Sequence, residues 1–116
     1  MKVSQRDIVE VTYHVGNGRY KPHPAVVVSN EDVLLAEGSF MALMISHSTM
    51  NGEFSFELTP AMLTSPAQGA TSYVKCQLVG IFYPDDVTGK FGSIRIGAFR
   101  ELMKTFNRTV CSLDFT

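Results

Sequence analysis

Residues 20–30, YKPHPAVVVSN, set a lysine, a histidine and two prolines directly against an apolar run whose β-branched content reads as a fully buried strand. An ionisable group, His23, therefore stands at the threshold of a core. Upstream, DIVEVTY (7–13) alternates Ile8, Val9, Val11 and Tyr13 with Glu10 and Thr12, the pattern of a half-buried strand. The connecting HVGNGRYKP (14–22) is expected to be a projecting loop rather than a two-residue hairpin. Gly16, Asn17 and Gly18 admit positive φ there, and Pro22 and Pro24 cannot donate to a ladder. Downstream, NEDVLLAEGS (30–39) reads as a polar turn, FMALMIS (40–46) as a third strand and HSTMNGE (47–53) as a loop. FSFEL (54–58) follows as a strand with Phe54, Phe56 and Leu58 on one face. TPAMLTSPAQGAT (59–71) is expected to be a loop with one helical turn. SYVKCQLVGIFY (72–83) reads as a long strand bent at Gly80, and PDDVTGKFG (84–92) as a turn cluster before a short strand, SIRI (93–96). One helix closes the pattern: Phe99, Leu102, Met103 and Phe106 form a stripe at i, i+3, i+4 and i+7, with Arg100, Glu101 and Lys104 outward. Six or seven short strands and one late helix predict a mainly β protein, a small curved antiparallel sheet or barrel with the helix packed on it.

Composition narrows the classes. A chain of 116 residues without linker-like stretches suits a single domain over residues 1–116. Hydrophobic residues at 45% and charged ones at 18% exclude disorder, and no apolar run approaches the length a bilayer needs. MKVSQRDIVEV lacks the apolar h-region of a secretory signal, so a cytoplasmic protein is expected, with Cys76 and Cys111 as free thiols. A net charge of −1 argues against non-specific polyanion binding but permits a local patch. Lys90, Arg95, Arg100, Lys104 and Arg108 lie against one acid, Glu101, over the last stretch; a solvated helix face accounts for them equally well.

The chemistry available lies at strand ends. His14 ends the first strand, His23 precedes the second and His47 follows the third. If these strands are neighbours, His23 and His47 meet at one rim with Arg19, Lys21 and Ser46. Imidazoles of pKa about 6.5 beside Lys or Arg make a plausible phosphodiester site. The alternative is that polar residues gather there because loops are wet. No metal or cofactor is expected: the histidines lack ligand spacing, no thiol accompanies them, and GNG is not a P-loop. No GxSxG elbow supports a serine hydrolase. Tyr20, Tyr73 and Phe82 offer faces on which bases can stack, although strand aromatics usually belong to cores.

The order RDIVEVTY, a Gly-bearing loop, HPAVVVSN, FMALMISHS, GEFSFEL, SYVKCQLVGIF and GSIRIGAFREL resembles the MazF/PemK toxins of bacterial toxin–antitoxin modules from about Asp7 to Phe106. Those proteins share a G-D-[IL]-[VI]-x-V strand, an R-P-[AV]-[VL]-V-[LI]-S strand, a strand ending in Thr or Ser, and a D-Q segment. The resemblance implies an SH3-like barrel, a homodimer, and a metal-independent, sequence-selective endoribonuclease for single-stranded RNA, held inactive by a cognate antitoxin. In such chemistry a ribose 2′-OH attacks the adjacent phosphate, which requires a base, an acid and positive charge. Carried over, the family's hydroxyl falls on Ser46, or on Ser48 or Thr49 if the alignment slips, and its Arg falls on His23. Arg19, Lys21, His47 and Ser48 are the implied RNA contacts. Cys76 replaces the Asp of D-Q, which suggests an altered RNA preference or partner. Two readings stand: His23 performs the proton transfer, or the activity is lost and the barrel binds a protein or nucleic-acid partner.

Overall fold

The computed structural model describes residues 2–50, 52–65 and 70–114. Six strands build one antiparallel sheet: β1 (Asp7–Gly16), β2 (Arg19–Val27), β3 (Phe40–Ser46), β4 (Ser55–Leu58), β5 (Ser72–Phe82) and β6 (Val87–Ser93), in the order β4-β5-β3-β2-β1-β6. Two helices, α1 (Glu31–Glu37) and α2 (Ile96–Thr109), complete the described elements. The sheet is curved without closing. An isolated bridge between Leu63 and Ile94, flanked by Thr64 N donating to Ser93 O and Arg95 N to Met62 O, ties the segment after β4 to the end of β6 and makes the whole barrel-like.

Side chains alternate along strands, so each strand serves two cores. Ile8, Val26, Leu43, Ile45, Val74 and Cys76 face α2, whose Phe99 and Leu102 are buried among them with Met103 and Phe106 packed alongside. The expected stripe is thus the helix's inner face. On the opposite side, Val9, Val11, Ala25, Val27, Ala42 and Met44 gather around Phe40 and Phe82.

Four expectations are corrected. The 14–22 segment is not a projecting loop: Gly16 pairs with Arg19 across a two-residue Asn17–Gly18 turn, with positive φ at both (51° and 71°), the conformation of a hairpin's primed turn. Both prolines lie within β2. Arg6 N bonds to Val27 O on the β1 side while Val28 N bonds to Met41 O on the β3 side, so even-numbered positions of β2 aim their amides away from β1. The missing amides of Pro22 and Pro24 therefore cost the β1–β2 ladder nothing.

Residues 31–37 form α1, not a turn. Asn30 caps it by accepting from Val33 N at 3.2 Å, and Gly38 ends it in the left-handed region. Residues 87–93 form an edge strand paired only with β1, and the expected SIRI strand reduces to the Ile94 bridge before α2 begins. The irregularity of β5 is a bulge: Leu43 faces Val79 while Met44 faces Lys75, leaving Cys76, Gln77 and Leu78 extra. Gly80 serves a different purpose, since a Cβ there would lie 2.5 Å from the Phe82 ring. The expected single turn in 59–71 is present at Pro60–Met62, and residues 66–69 of that loop lie outside those described.

Candidate functional site

Pairing between β2 and β3 runs through Val27–Ala42, Val26–Leu43 and Ala25–Met44, then stops. The next bond would require an amide at Pro24 to reach Ile45. Proline has none, and the strands part. Continuing the register two residues sets His23 across from Ser46, both half-buried, on the face shared with Val11 and Ala25. The candidate residues thus lie just past the point where Pro24 ends the β2–β3 ladder.

His23 is held from two sides. Its ring packs on Tyr13 at 5.6 Å between centroids, and Tyr13 packs on Phe82 at 6.4 Å. Its Nδ1 lies 3.1 Å from the carbonyl of Pro24. A carbonyl only accepts, so Nδ1 carries the hydrogen in this bond, which leaves Nε2 as the ring nitrogen turned to other partners. Ser46 Oγ accepts from Ser48 N at 3.0 Å, and Ser48 Oγ accepts from Met50 N at 3.1 Å, two successive side-chain turns that fold the chain after β3 back on itself. Both hydroxyl hydrogens remain available to a ligand.

The other candidates are placed differently. Lys21 shares the His23 face two residues along, exposed and opposite Tyr13; Arg19 is a further two residues away, at the hairpin tip. At about 3.3 Å per residue, Arg19 stands roughly 13 Å from His23 along the strand. His47 does not join His23. It lines a cavity of about 420 Å³ with Ile8, Pro24, Ile45, Leu58 and Phe91, toward the α2 side of the sheet. Ser48 is exposed in the turn that Ser46 anchors. Among the described residues no group of His, Cys, Asp and Glu is arranged to hold a metal ion. No helix is long and apolar enough to cross a membrane.

Sequence reasoning missed one polar residue of this face, Lys75. It is buried on β5, opposite Met44 and Ser55. The signal was present: a lysine at the centre of SYVKCQLVG interrupts an apolar strand without a turn residue nearby. Its neighbour Cys76 is fully buried, and burial pushes its thiol from 9.0 to about 11. A thiol so placed is inert as a nucleophile.

A curved, mainly β scaffold of six antiparallel strands with a C-terminal helix packed on it defines the class. Residues 4–110 match the model of the PemK-like, MazF-like toxins of type II toxin–antitoxin systems, and the chain belongs to that family. The resemblance read from the strand order is borne out. Solved structures agree. An endoribonuclease in complex with its cognate antitoxin from a mycobacterial species is 12% identical, with 99% of this chain and 100% of that one aligned at a TM-score of 0.72. The Mycobacterium tuberculosis toxin MazF-mt6 is 14% identical over 95% and 100% of the two chains, TM-score 0.72. The MazE–MazF complex (Form-III) of Deinococcus radiodurans is 11% identical over 96% and 98%, TM-score 0.73. At such identities the likeness establishes a common fold. No curated protein matches the chain significantly.

Proposed function

We propose that this chain is a cytoplasmic, single-domain endoribonuclease toxin, sequence-selective and independent of metal, which pairs as a homodimer and is silenced by a cognate antitoxin. Family membership supplies the class. The observation that supports the reading is the β2–β3 register, which, continued two residues past its last pair Ala25–Met44, matches His23 with Ser46. In the proposed reaction Nε2 of His23 takes the proton of a ribose 2′-OH and the freed oxygen attacks the adjacent phosphorus. The bond to the 5′-oxygen breaks, and that oxygen leaves as a hydroxyl after taking a proton from the medium or the imidazolium. The products are a 2′,3′-cyclic phosphate and a 5′-OH end. The Ser46 and Ser48 hydroxyls donate to the phosphoryl oxygens, while Lys21 and Arg19 hold RNA along the hairpin. The need for a 2′-OH makes the substrate RNA rather than DNA.

One observation favours a second reading, an inactive barrel that binds a partner. An imidazole stands where the family resemblance places a guanidinium, and it makes no bidentate clamp on phosphate. The test separates the two. Purified protein is incubated in chelator with mixed-sequence RNA, and the cut ends are mapped beside His23→Ala and Ser46→Ala proteins. The expected result is defined cuts ending in cyclic phosphate, slowed about 10²–10⁴-fold by His23→Ala. Intact RNA across a broad pool supports the binding module. Full cleavage by both variants removes these residues from the site.

A further inference from the structure

Lys75 is only 4% exposed, and its Nζ donates to the Met50 carbonyl at 2.8 Å and to Ser55 Oγ at 3.0 Å. The Tyr73 ring lies 5.9 Å from the ammonium. The ion pairs among the described residues are Lys90–Asp7 and Lys104–Glu101, so no described carboxylate neutralises this buried cation. Such a charge is expensive to bury, and an apolar side chain of like volume is often no worse for stability. Met44, directly opposite, shows that the position tolerates a thioether beside it. The fold alone therefore does not account for a lysine here.

Its connections lead back to the candidate site. Met44 pairs with Lys75 and Ser46 with Tyr73, so Lys75 and Ser46 are diagonal neighbours on one face, about 7–8 Å apart between Cα atoms. A continuous chain of hydrogen bonds joins them: Lys75 Nζ to Met50 O, Met50 N to Ser48 Oγ, Ser48 N to Ser46 Oγ. The ammonium grips the far end of the turn whose near end carries the candidate hydroxyls. Over such distances its field is only weakly screened by salt, whose Debye length is about 8 Å.

We infer that Lys75 is the positioning residue and the fixed cation of this site: it clamps the 46–50 turn and places positive charge beneath an RNA phosphate, in a site where the family resemblance has an arginine and this chain has His23. This rests on the reading of the candidate site as an RNA site. Full-length protein is compared with Lys75→Met and Lys75→Arg in two assays: cleavage of RNA, and equilibrium binding of the same RNA carrying 2′-O-methyl groups, across a range of salt. Lys75→Met is expected to lower kcat about 10- to 100-fold. It is also expected to flatten the dependence of log affinity on log salt by about 0.7, the share of one phosphate contact on a single strand. A purely structural role would leave that slope alone. Lys75→Arg restores the slope but only part of kcat, since a planar guanidinium does not reproduce the bonds to Met50 and Ser55. Wild-type kcat and slope in Lys75→Met overturn the inference. Binding with a Lys75-dependent slope but no cleavage by the wild type fails the nuclease and keeps the cation. If Lys75→Met does not fold, Ser55→Ala decides: a several-fold lower kcat at unchanged slope supports the clamp, and unchanged kcat overturns it.

Discussion

The two halves of β2 are built to opposite rules. Ala25 to Val27 is fully buried and pairs on both edges, with β1 and β3; Arg19 to Pro24 is exposed or half-exposed and pairs with β1 alone. The change falls at Pro24, whose absent amide faces the edge that β3 would otherwise occupy. One residue that costs the hairpin nothing thus stands where a second ladder ends, just before the positions of His23 and Ser46.

The widest separation of the halves is expected in stability. Val26→Ala removes two buried methyl groups and should cost about 2–3 kcal/mol in urea unfolding, whereas Lys21→Ala should stay within about 0.5 kcal/mol. Equal effects would erase the distinction. Next comes the boundary itself. Pro24→Ala supplies the missing donor, so the β2–β3 ladder should lengthen by one bond worth about 1 kcal/mol, visible in the variant as an amide at position 24 protected from hydrogen exchange. Cleavage should fall as the strands close. An unprotected amide at that position in the variant would mean that something other than proline parts the strands.

The last effect is absent at neutral pH, where it is the smallest of the three, and grows in alkali. Because the Cys76 thiol is raised from 9.0 to about 11, between those values the folded chain keeps a proton that the unfolded chain has lost. The unfolded state then binds fewer protons, and stability falls as pH rises above about 9, levelling beyond about 11. Urea midpoints from about pH 8 to about pH 10.5, compared with Cys76→Ala, should show a decline that the variant lacks. Cys111, exposed, should contribute none of it.

The strands with strong period-two or β-branched patterns were legible one by one, as was α2 from its stripe. The segments misread were those where short-range chemistry outweighs pattern. In α1 the Asn30 cap and Gly38 terminus make a helix that buries no residue fully, so no apolar stripe announces it. In β6 an edge position admits Gly89 and Gly92, which read as turn residues. His23 and Ser46 were legible as candidates because both end apolar strands. Lys75 was not, because its meaning depends on Met50 and Ser55, 25 and 20 residues away.

By itself the sequence determined the class: alternation and β-branching choose strands, one apolar stripe chooses the helix, and the order of short motifs marks the family. These are local properties, written in neighbours a few residues apart. Which face each ionisable group takes was decided only in three dimensions, by register. A shift of one residue sends a side chain to the other side of the sheet, and register is set by the hairpin turn, the bulge in β5 and the proline that ends a ladder. That is why His23 and His47 part company, and why a lysine in the middle of an apolar strand comes to lie under a serine turn.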